Sequence, residues 1–451
     1  MSARTRELFA LIPVALLVTA GFTQVFLVGS DEIGDLSLIY GGYFLAVCVA
    51  AHVFLRIALP HADPYLFPLC ALLAAIGLVV LYRIDETLAV GQATVFLLGL
   101  GAFAATIVFL RDYEVLQRYR YLIAIGSLAL LLAPRLPVIG SQVNGAYLAV
   151  DVGPIAFQPA ELAKIGIVVF LASYLNEKRE LFSVAARRFL GLTIPPVKHF
   201  GPLLIVWGAA MVLLVFIRDL GSSLMFFGAF LALMYVATNR FSYVLAGLLL
   251  FAGGAWFFAN TVGHVQDRIN IWLDPFGPDA PAGAGQITAA LFTQAEGGLF
   301  GQGLGQALLK LPGPFFPEGC TQGFPYCGSI LPEPHTDAIY AVIVAELGLF
   351  GACGLIACYA LIGARGFKTA MMAPDGFSKL LAAGLTAVFC LQVFVIIGGV
   401  VKLIPLTGVT LPFISYGGSS IVANMILLAL LMLVSERARR PPARYEEGAA
   451  P

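Results

Sequence analysis

Long apolar runs separated by short polar stretches fill the chain from about residue 8 to residue 435. Most runs are about 17–25 residues long, the length that a helix needs to cross roughly 30 Å of hydrocarbon. The pattern predicts an all-α, polytopic membrane protein with about 12 transmembrane helices. The predicted spans are 8–28, 38–59, 66–82, 90–110, 119–134, 158–175, 199–217, 221–237, 242–262, 337–364, 378–401 and 411–435.

The composition agrees with this prediction. Of the 451 residues, 60% are hydrophobic and only 12% are charged, whereas a soluble domain carries roughly twice that charged fraction. The 26 basic residues balance the 26 acidic residues, so the net charge gives no indication of a nucleic-acid partner. The first apolar run lacks an A-x-A-like cleavage site, and we therefore expect a retained helix.

The distribution of Lys and Arg predicts the orientation, because cytoplasmic loops are enriched in both residues. With the N-terminus inside, the cytoplasmic segments hold roughly three times as many basic residues as the outer segments. Both termini are then cytoplasmic. The two longest outer segments are 135–157 and 263–336, and the tail 436–451 is expected to be disordered.

Four polar residues cluster where the second outer segment re-enters the membrane. The sequence LPEPHTD places Glu333, His335, Thr336 and Asp337 within five positions. Ionisable groups are costly to place at a membrane and are therefore functional-site candidates. We expect His335 to hydrogen bond within the loop, and Glu346, deeper in the run, to pair with another span.

A second polar group lies at the other long outer segment. Pro159 suits the first turn of a helix, which places Glu161 and Lys164 three residues apart on one face. Two interpretations remain open here. The pair is either an ion pair that lets both groups sit at the membrane edge, or a carboxylate and a cation that line a polar cavity.

Three further stretches carry candidate residues. Asp219 suits a helix N-cap, and its neighbour Arg218 could meet an anionic ligand. The segment after Arg268 is rich in glycine, which allows close backbone approach, but its spacing matches neither the P-loop nor the dinucleotide fingerprint. Small and hydroxyl residues at Ile404–Ser420 suit either helix packing or the wall of a polar cavity.

Most of these stretches fall on the outer face or at its membrane boundary, which favours a single polar site there. The chain has no His and Cys cluster that indicates a metal, and no Ser, His and Asp set that indicates covalent catalysis. Cys320 and Cys327 share the second outer segment, where a local disulfide is plausible.

The chain resembles the SEDS family of bacterial cell-wall polymerases, which includes RodA and FtsW. The matching motifs occur in the order of that family and cover about residues 64–435. They are NGA at 144–146, FQPAELAKI at 157–165, DLGSS at 219–223, GGLFGQGLG at 297–305, LPEPHTD at 331–337, AELG at 345–348 and PLTGVTLPFISYGGSS at 405–420.

The resemblance implies a ten-helix core at residues 63–435, preceded by two additional helices within residues 1–62. It also implies a multi-pass protein of the cytoplasmic membrane that polymerises lipid II into peptidoglycan on the outer face. The expected partner is a class B penicillin-binding transpeptidase, besides membrane lipids. The context of Thr407, where FtsW proteins usually have a lysine, favours an actinobacterial type of RodA. Ala149 departs from the family, which usually has a tryptophan there.

In that family the aspartate of the PE-x-x-TD motif is the proposed catalytic residue, and it corresponds to Asp337. We predict that Asp337 acts as the general base on the acceptor hydroxyl, with Glu333 ordering the loop or serving as the alternative base. The pyrophosphate leaving group needs cationic support and is compatible with a bound divalent cation. The residues expected to bind substrate are Glu161, Lys164, Arg218, Arg268, Glu333, His335, Thr336, Lys402, Ser415 and Ser419, with Lys164 ranked first among the cations.

Four other functions are kept as alternatives: a division polymerase of the FtsW type, a lipid II flippase, a small-solute transporter and a non-catalytic scaffold of a cell-wall complex. A flippase needs a polar route across the whole membrane, whereas the motifs here collect on one face. A transporter is expected to show inverted repeats with broken helices, and no clear internal repeat is present.

Overall fold

The computed structural model of the protein describes residues 2–29, 35–136, 140–143, 146–152, 155–184, 187–189, 192–194, 201, 205–212, 219–277, 284–309 and 330–440. Within this part of the chain, ten helices are long and apolar enough to cross a membrane. The all-α, polytopic class is therefore confirmed. The helices are α1 (Ala3–Gly29), α2 (Asp35–Ala58), α3 (Leu66–Ile84), α4 (Glu86–Phe109), α5 (Val115–Arg118), α6 (Arg120–Leu132), α7 (Pro159–Val184), α8 (Leu220–Thr238), α9 (Phe241–Thr261), α10 (Gly263–Leu273), α11 (Ala284–Gly297), α12 (Ile339–Met372), α13 (Gly376–Val400) and α14 (Gly418–Arg439).

Two of the predicted spans differ from the other ten. The run 119–134 forms α6, which has 13 residues and continues into a 3₁₀ turn at Ala133–Arg135. In the run 199–217, residues 205–212 are helical, and most of the remainder lies outside the described residues.

The outer segments contain regular structure that the apolar pattern did not predict. Residues 140–157 hold a three-stranded antiparallel sheet of β1 (Gly140–Val143), β2 (Ala146–Val152) and β3 (Ile155–Phe157). The segment 263–336 contains α10 and α11. A separate hairpin of β4 (Arg187–Phe189) and β5 (Leu192–Ile194) follows α7.

The two ends of the described chain meet on one side of the helix bundle. Arg4 donates a hydrogen bond to the carbonyl oxygen of Ala62 at 2.5 Å. The neighbouring Asp63 is fully buried and pairs with Arg365 at 2.6 Å and with Arg439 at 2.7 Å. The first and last helices therefore have their termini on the same face, as the distribution of basic residues predicts. The last helix continues to Arg439, beyond the residue 436 at which we expected a disordered tail.

The long helix α12 is kinked at Gly348, where the second outer segment packs against it. Gly348 has a φ of +66° within that helix, and residues 298–303 run beside it. Gln302 N donates to Ala345 O at 2.9 Å, and Leu349 N donates to Gly298 O at 3.0 Å. A Cβ on Gly348 would collide with the backbone of Gly301. The glycine-rich motif thus permits a close approach of two backbones beside the helix that follows Asp337.

Candidate active site

The re-entry loop before α12 is a tight turn built around Glu333. This residue has a left-handed backbone, with a φ of +51°, and its carbonyl oxygen accepts from Thr336 N at 3.3 Å and from Ala338 N at 3.2 Å. Its carboxylate accepts from the Thr336 hydroxyl at 3.2 Å and lies 3.6 Å from Nε2 of His335. The contacts support the predicted loop-ordering role of Glu333 and place Asp337 directly before α12.

The segment 401–417 closes over this turn from the other side. The Ser415 hydroxyl donates to the carbonyl oxygen of Thr336 at 2.8 Å and accepts from Leu411 N at 2.9 Å. Tyr416 N donates to the carbonyl oxygen of His335 at 2.8 Å, and their rings meet edge to face at 5.9 Å. Two segments far apart in sequence therefore form one wall of the site.

Asp337 lies between these two segments and is partly buried. Its Oδ2 atom faces Gly408, which has a φ of +75°, and a Cβ on that glycine would lie 3.6 Å from the oxygen. Burial raises the pKa of Asp337 to about 6, with a smaller contribution from the Glu333 carboxylate, while the Arg268 guanidinium opposes the shift. Burial thus acts against the helix dipole, which favours the carboxylate form.

Arg268 on α10 brings a positive charge to Asp337. It donates a hydrogen bond to the carbonyl oxygen of Leu406. Burial lowers the pKa of Arg268, and the carboxylates of Asp337 and Asp219 both oppose that shift. The side chain is therefore a half-buried cation that faces two carboxylates.

The C-terminal end of α10 and the segment after α13 are joined at a second point. Trp272 Nε1 donates to the carbonyl oxygen of Lys402 at 3.1 Å, and Lys402 Nζ lies 3.4 Å from the carbonyl oxygen of Leu273. Lys402 itself has a φ of +61°. These contacts place Lys402 at the edge of the site, beside the C-terminal end of α10.

Asp219 is the N-cap of α8, as predicted. One carboxylate oxygen accepts from Ser222 N at 2.9 Å, whereas Oδ2 has no hydrogen-bond partner among the described side chains. Burial raises the pKa of Asp219, and the nearby Glu161 carboxylate raises it further, against the positive charge of Arg268. Asp219 thus joins the site as a buried carboxylate, while Arg218 lies outside the described residues.

Glu161 and Lys164 form an ion pair, which is one of the two interpretations left open by their spacing, and the pair is buried next to the site. Lys164 Nζ lies 2.6 Å from Glu161 Oε2 and 2.6 Å from Oε1 of Gln392. Gln392 also donates to the carbonyl oxygen of Thr410 at 2.9 Å. The ammonium group of Lys164 is therefore held by two partners, and it connects α7 to the segment that faces Asp337.

Sequence reasoning missed two residues of this network. Gln392 is the glutamine within a predicted apolar span, and nothing in its neighbourhood marks it. Gln92 on α4 donates to the carbonyl oxygen of Ser415 at 2.9 Å and lies 3.3 Å from Gly417 N. Both glutamines bind backbone groups of the 405–420 motif. In the sequence, the signal for each was a polar residue within a predicted apolar span.

Ser419 and Ala149 lie near or in the three-stranded sheet of β1, β2 and β3. The Ser419 hydroxyl accepts from Gln158 N at 2.8 Å, which ties the start of α7 to α14. Ala149 is buried in β2, two residues from Tyr147, whose ring lies 4.2 Å from the Arg135 guanidinium carbon. The described site therefore combines Asp337, Glu333, His335, Thr336, Arg268 and Ser415 directly, with Glu161 and Lys164 behind them.

Comparisons with known proteins agree with these motifs. A family model described as "Cell cycle protein" and named for FtsW, RodA and SpoVE matches residues 64–440. The peptidoglycan glycosyltransferase RodA of Mycobacterium tuberculosis is 40% identical over 414 residues, which cover 89% of this chain and 84% of that protein. A probable peptidoglycan glycosyltransferase FtsW of Geobacter metallireducens is 33% identical over 344 residues, which cover 75% of this chain and 83% of that protein.

A solved structure gives the corresponding match in three dimensions. It describes the structural coordination of polymerization and crosslinking by a peptidoglycan synthase complex. One of its chains superposes with a TM-score of 0.64 at 26% sequence identity, covering 84% of this chain and 99% of that chain. The helices α1 and α2 precede the range that the family model matches.

Proposed function

Because the chain belongs to the family of FtsW, RodA and SpoVE, we infer that it is a peptidoglycan glycosyltransferase of the RodA type. It is a multi-pass protein of the bacterial cytoplasmic membrane, and it acts in cell elongation and shape. The RodA type is favoured over the FtsW type because identity to the mycobacterial RodA is 40%, against 33% for the FtsW relative.

The substrate proposed for this site is lipid II, presented on the outer face of the membrane. Asp337 removes the proton from the 4-hydroxyl of the acceptor sugar as that oxygen attacks the anomeric carbon of the donor. The new glycosidic bond forms while the bond to the pyrophosphate breaks, and the polyprenyl pyrophosphate leaves with the electron pair. The proton ends on the Asp337 carboxylate.

The observation that carries this assignment is the environment of Asp337. A general base is most effective when its pKa lies near the working pH, and burial raises the pKa of this carboxyl to about 6. At neutral pH it is thus mostly deprotonated and more basic than an ordinary aspartate. Glu333 lacks this position, because its carboxylate lies against Thr336 and His335.

Arg268 is the proposed cation for the pyrophosphate. Its guanidinium faces the carboxylates of Asp337 and Asp219, so it lies in the same site as the base. Lys164 has a different proposed role, since its ammonium group is already held by Glu161 and Gln392. It positions the segment that faces Asp337 rather than binding the leaving group.

The proposed partner is a class B penicillin-binding transpeptidase, which would crosslink the glycan strands that this protein makes. Support comes from the structural neighbour, since that chain belongs to a peptidoglycan synthase complex for polymerization and crosslinking. Copurification of the two full-length proteins from one membrane tests this pairing.

Purified protein supplied with labelled lipid II tests the function directly. Glycan chains longer than the disaccharide are the expected product. Movement of lipid II across the bilayer without chain formation would indicate that the protein is a flippase and not a polymerase. The absence of both activities, in the presence of the transpeptidase, would favour the scaffold.

A further inference from the structure

A cavity of about 310 Å³ lies between the two N-terminal helices and the helices α3 and α4. Aliphatic side chains and Thr94 form part of its lining. Its remaining lining is aromatic: Phe22, Tyr40, Tyr43, Phe44, Tyr82 and Phe96. The cavity does not belong to the site around Asp337, and α1 and α2 lie outside the range that the family model matches.

The lining and the position of the cavity indicate an apolar occupant from the bilayer. Apolar cavities do not hold water, and this volume is at the lower end of the range found for ligand pockets. The cavity opens between α2 and α4, where Tyr43 is 73% exposed and Leu97 is 52% exposed. Its lining on α4 runs from Ala89 to Leu97, about 12 Å along the helix axis. A hydrocarbon chain that lies parallel to the helices fits this shape.

One end of the cavity carries negative charge. The hydroxyl of Tyr40, which lines the cavity, donates to Glu86 at 3.3 Å, and the adjacent Asp85 caps α4 through Thr87 N at 2.7 Å. Both carboxylates are exposed. The neighbouring Arg83 points elsewhere, toward the carbonyl oxygen of Ala307 at 2.9 Å. This charge attracts an amine and repels a pyrophosphate.

We propose that this cavity binds one acyl chain of an outer-leaflet phospholipid whose headgroup carries an amine. The chain lies among the aromatic rings, and the amine lies near Glu86. A polyprenyl pyrophosphate has an equally apolar tail, but its headgroup would face the Glu86 carboxylate. The site is therefore a lipid site separate from the one that receives the substrate.

A lipid in the cavity also stabilises α4, the helix that bonds to the segment facing the re-entry loop. Ala89, Ala93 and Phe96 face the cavity from one side of α4. Gln92 lies on the adjoining face, three residues from Ala89 and four from Phe96, and bonds to the backbone of the segment that contacts the re-entry loop. An acyl chain packed against Ala89 and Phe96 therefore restrains the turn of α4 that carries Gln92.

Native mass spectrometry of the full-length protein tests the proposal. The protein is extracted gently from nanodiscs that contain equal amounts of phosphatidylethanolamine and phosphatidylglycerol. Ala93→Phe fills the cavity, and Ala105→Phe is the matched control, because Ala105 is exposed on the same helix outside the cavity. Glu86→Lys reverses one charge at the mouth without altering the apolar lining.

The expected result is one retained phosphatidylethanolamine per protein, at about fivefold over phosphatidylglycerol. Ala93→Phe should lower this retention about tenfold or more, while Ala105→Phe retains it and Glu86→Lys shifts the preference toward phosphatidylglycerol. Equal retention by the two phenylalanine variants would overturn the site. Retention of a polyprenyl lipid in place of a phospholipid, or of no lipid by the wild type, would overturn the occupant. The measurement of lipid retention does not depend on polymerase activity.

Discussion

The hydroxyl of Ser415 donates a hydrogen bond to the carbonyl oxygen of Thr336 at 2.8 Å, across 79 positions of sequence. Thr336 directly precedes Asp337, so this bond fixes the backbone that carries the proposed base. The same hydroxyl accepts from Leu411 N. One small side chain thus joins the two segments between which the carboxylate lies.

Replacing Ser415 by alanine should therefore impair both folding and catalysis. The change leaves the carbonyl of Thr336 and the amide of Leu411 without their partner, which costs about 1–3 kcal/mol of stability. We expect a lower melting temperature in detergent and a lower kcat for lipid II polymerisation. Ser127→Ala is the control, because within the described part of the chain the Ser127 hydroxyl bonds only to the Ile123 carbonyl of its own helix. Equal effects of both changes would contradict the joining role.

The rate of polymerisation should depend on the protonation of Asp337. A general base acts in its deprotonated form, so the rate should reach a plateau above about pH 6 and fall about tenfold per pH unit well below it. Glu333→Gln removes a negative charge that raises the pKa of Asp337, and the midpoint should move to lower pH. Glu114→Gln, at the distant ion pair with Arg437, should leave the midpoint unchanged. A midpoint that Glu333→Gln leaves in place or moves upward would refute this electrostatic assignment.

Gln392→Leu should destabilise the protein more than the same change at a glutamine that bonds to neutral groups. The buried ammonium of Lys164 loses one of its two acceptors, and the carbonyl of Thr410 loses its donor. Hydrogen bonds to charged groups contribute about 1.5–3 kcal/mol. Gln294→Leu is the matched control, since among the residues that the structure describes Gln294 donates only to neutral backbone carbonyls. Thermal unfolding measures the difference, and a larger loss for the control would contradict the proposed network.

Gly348→Ala should prevent the close approach of the glycine-rich segment to α12. The positive φ disfavours any side chain at this position, at a cost of about 1–3 kcal/mol, and the added Cβ collides with the backbone of Gly301. Gly354→Ala is the control in the same helix, because a Cβ there meets no neighbouring atom within 4 Å. The melting temperature should fall for the first variant and stay level or rise for the second. The reverse order would contradict the role assigned to the kink.

The apolar pattern predicted the membrane-spanning helices well because each is long and individually apolar. Local spacing also predicted the Glu161 and Lys164 pair and the Asp219 cap, since these contacts span only three residues. Glu346 pairs with Arg83 on another span at 3.3 Å, as expected for a carboxylate within an apolar run.

Contacts between distant segments could not be predicted in the same way. Gln392 contacts Lys164 across 228 positions, and neither residue has a periodic signal that indicates the other. The backbone pairing between residues 298–303 and α12 depends on where the outer segment folds back, which the glycine content permits but does not specify. The pKa of Asp337 similarly depends mainly on burial, in which the segment around Gly408 takes part, and to a smaller extent on Glu333 of its own motif.

The central claim is that Asp337 removes the proton from the acceptor hydroxyl, and Asp337→Asn tests it most directly. Asparagine keeps the shape of the side chain and removes its basicity, so the polymerisation rate with purified protein and labelled lipid II should fall about 10²–10⁴-fold. Lipid II binding and the melting temperature should stay near those of the wild type. Polymerisation at a rate close to that of the wild type would contradict the account.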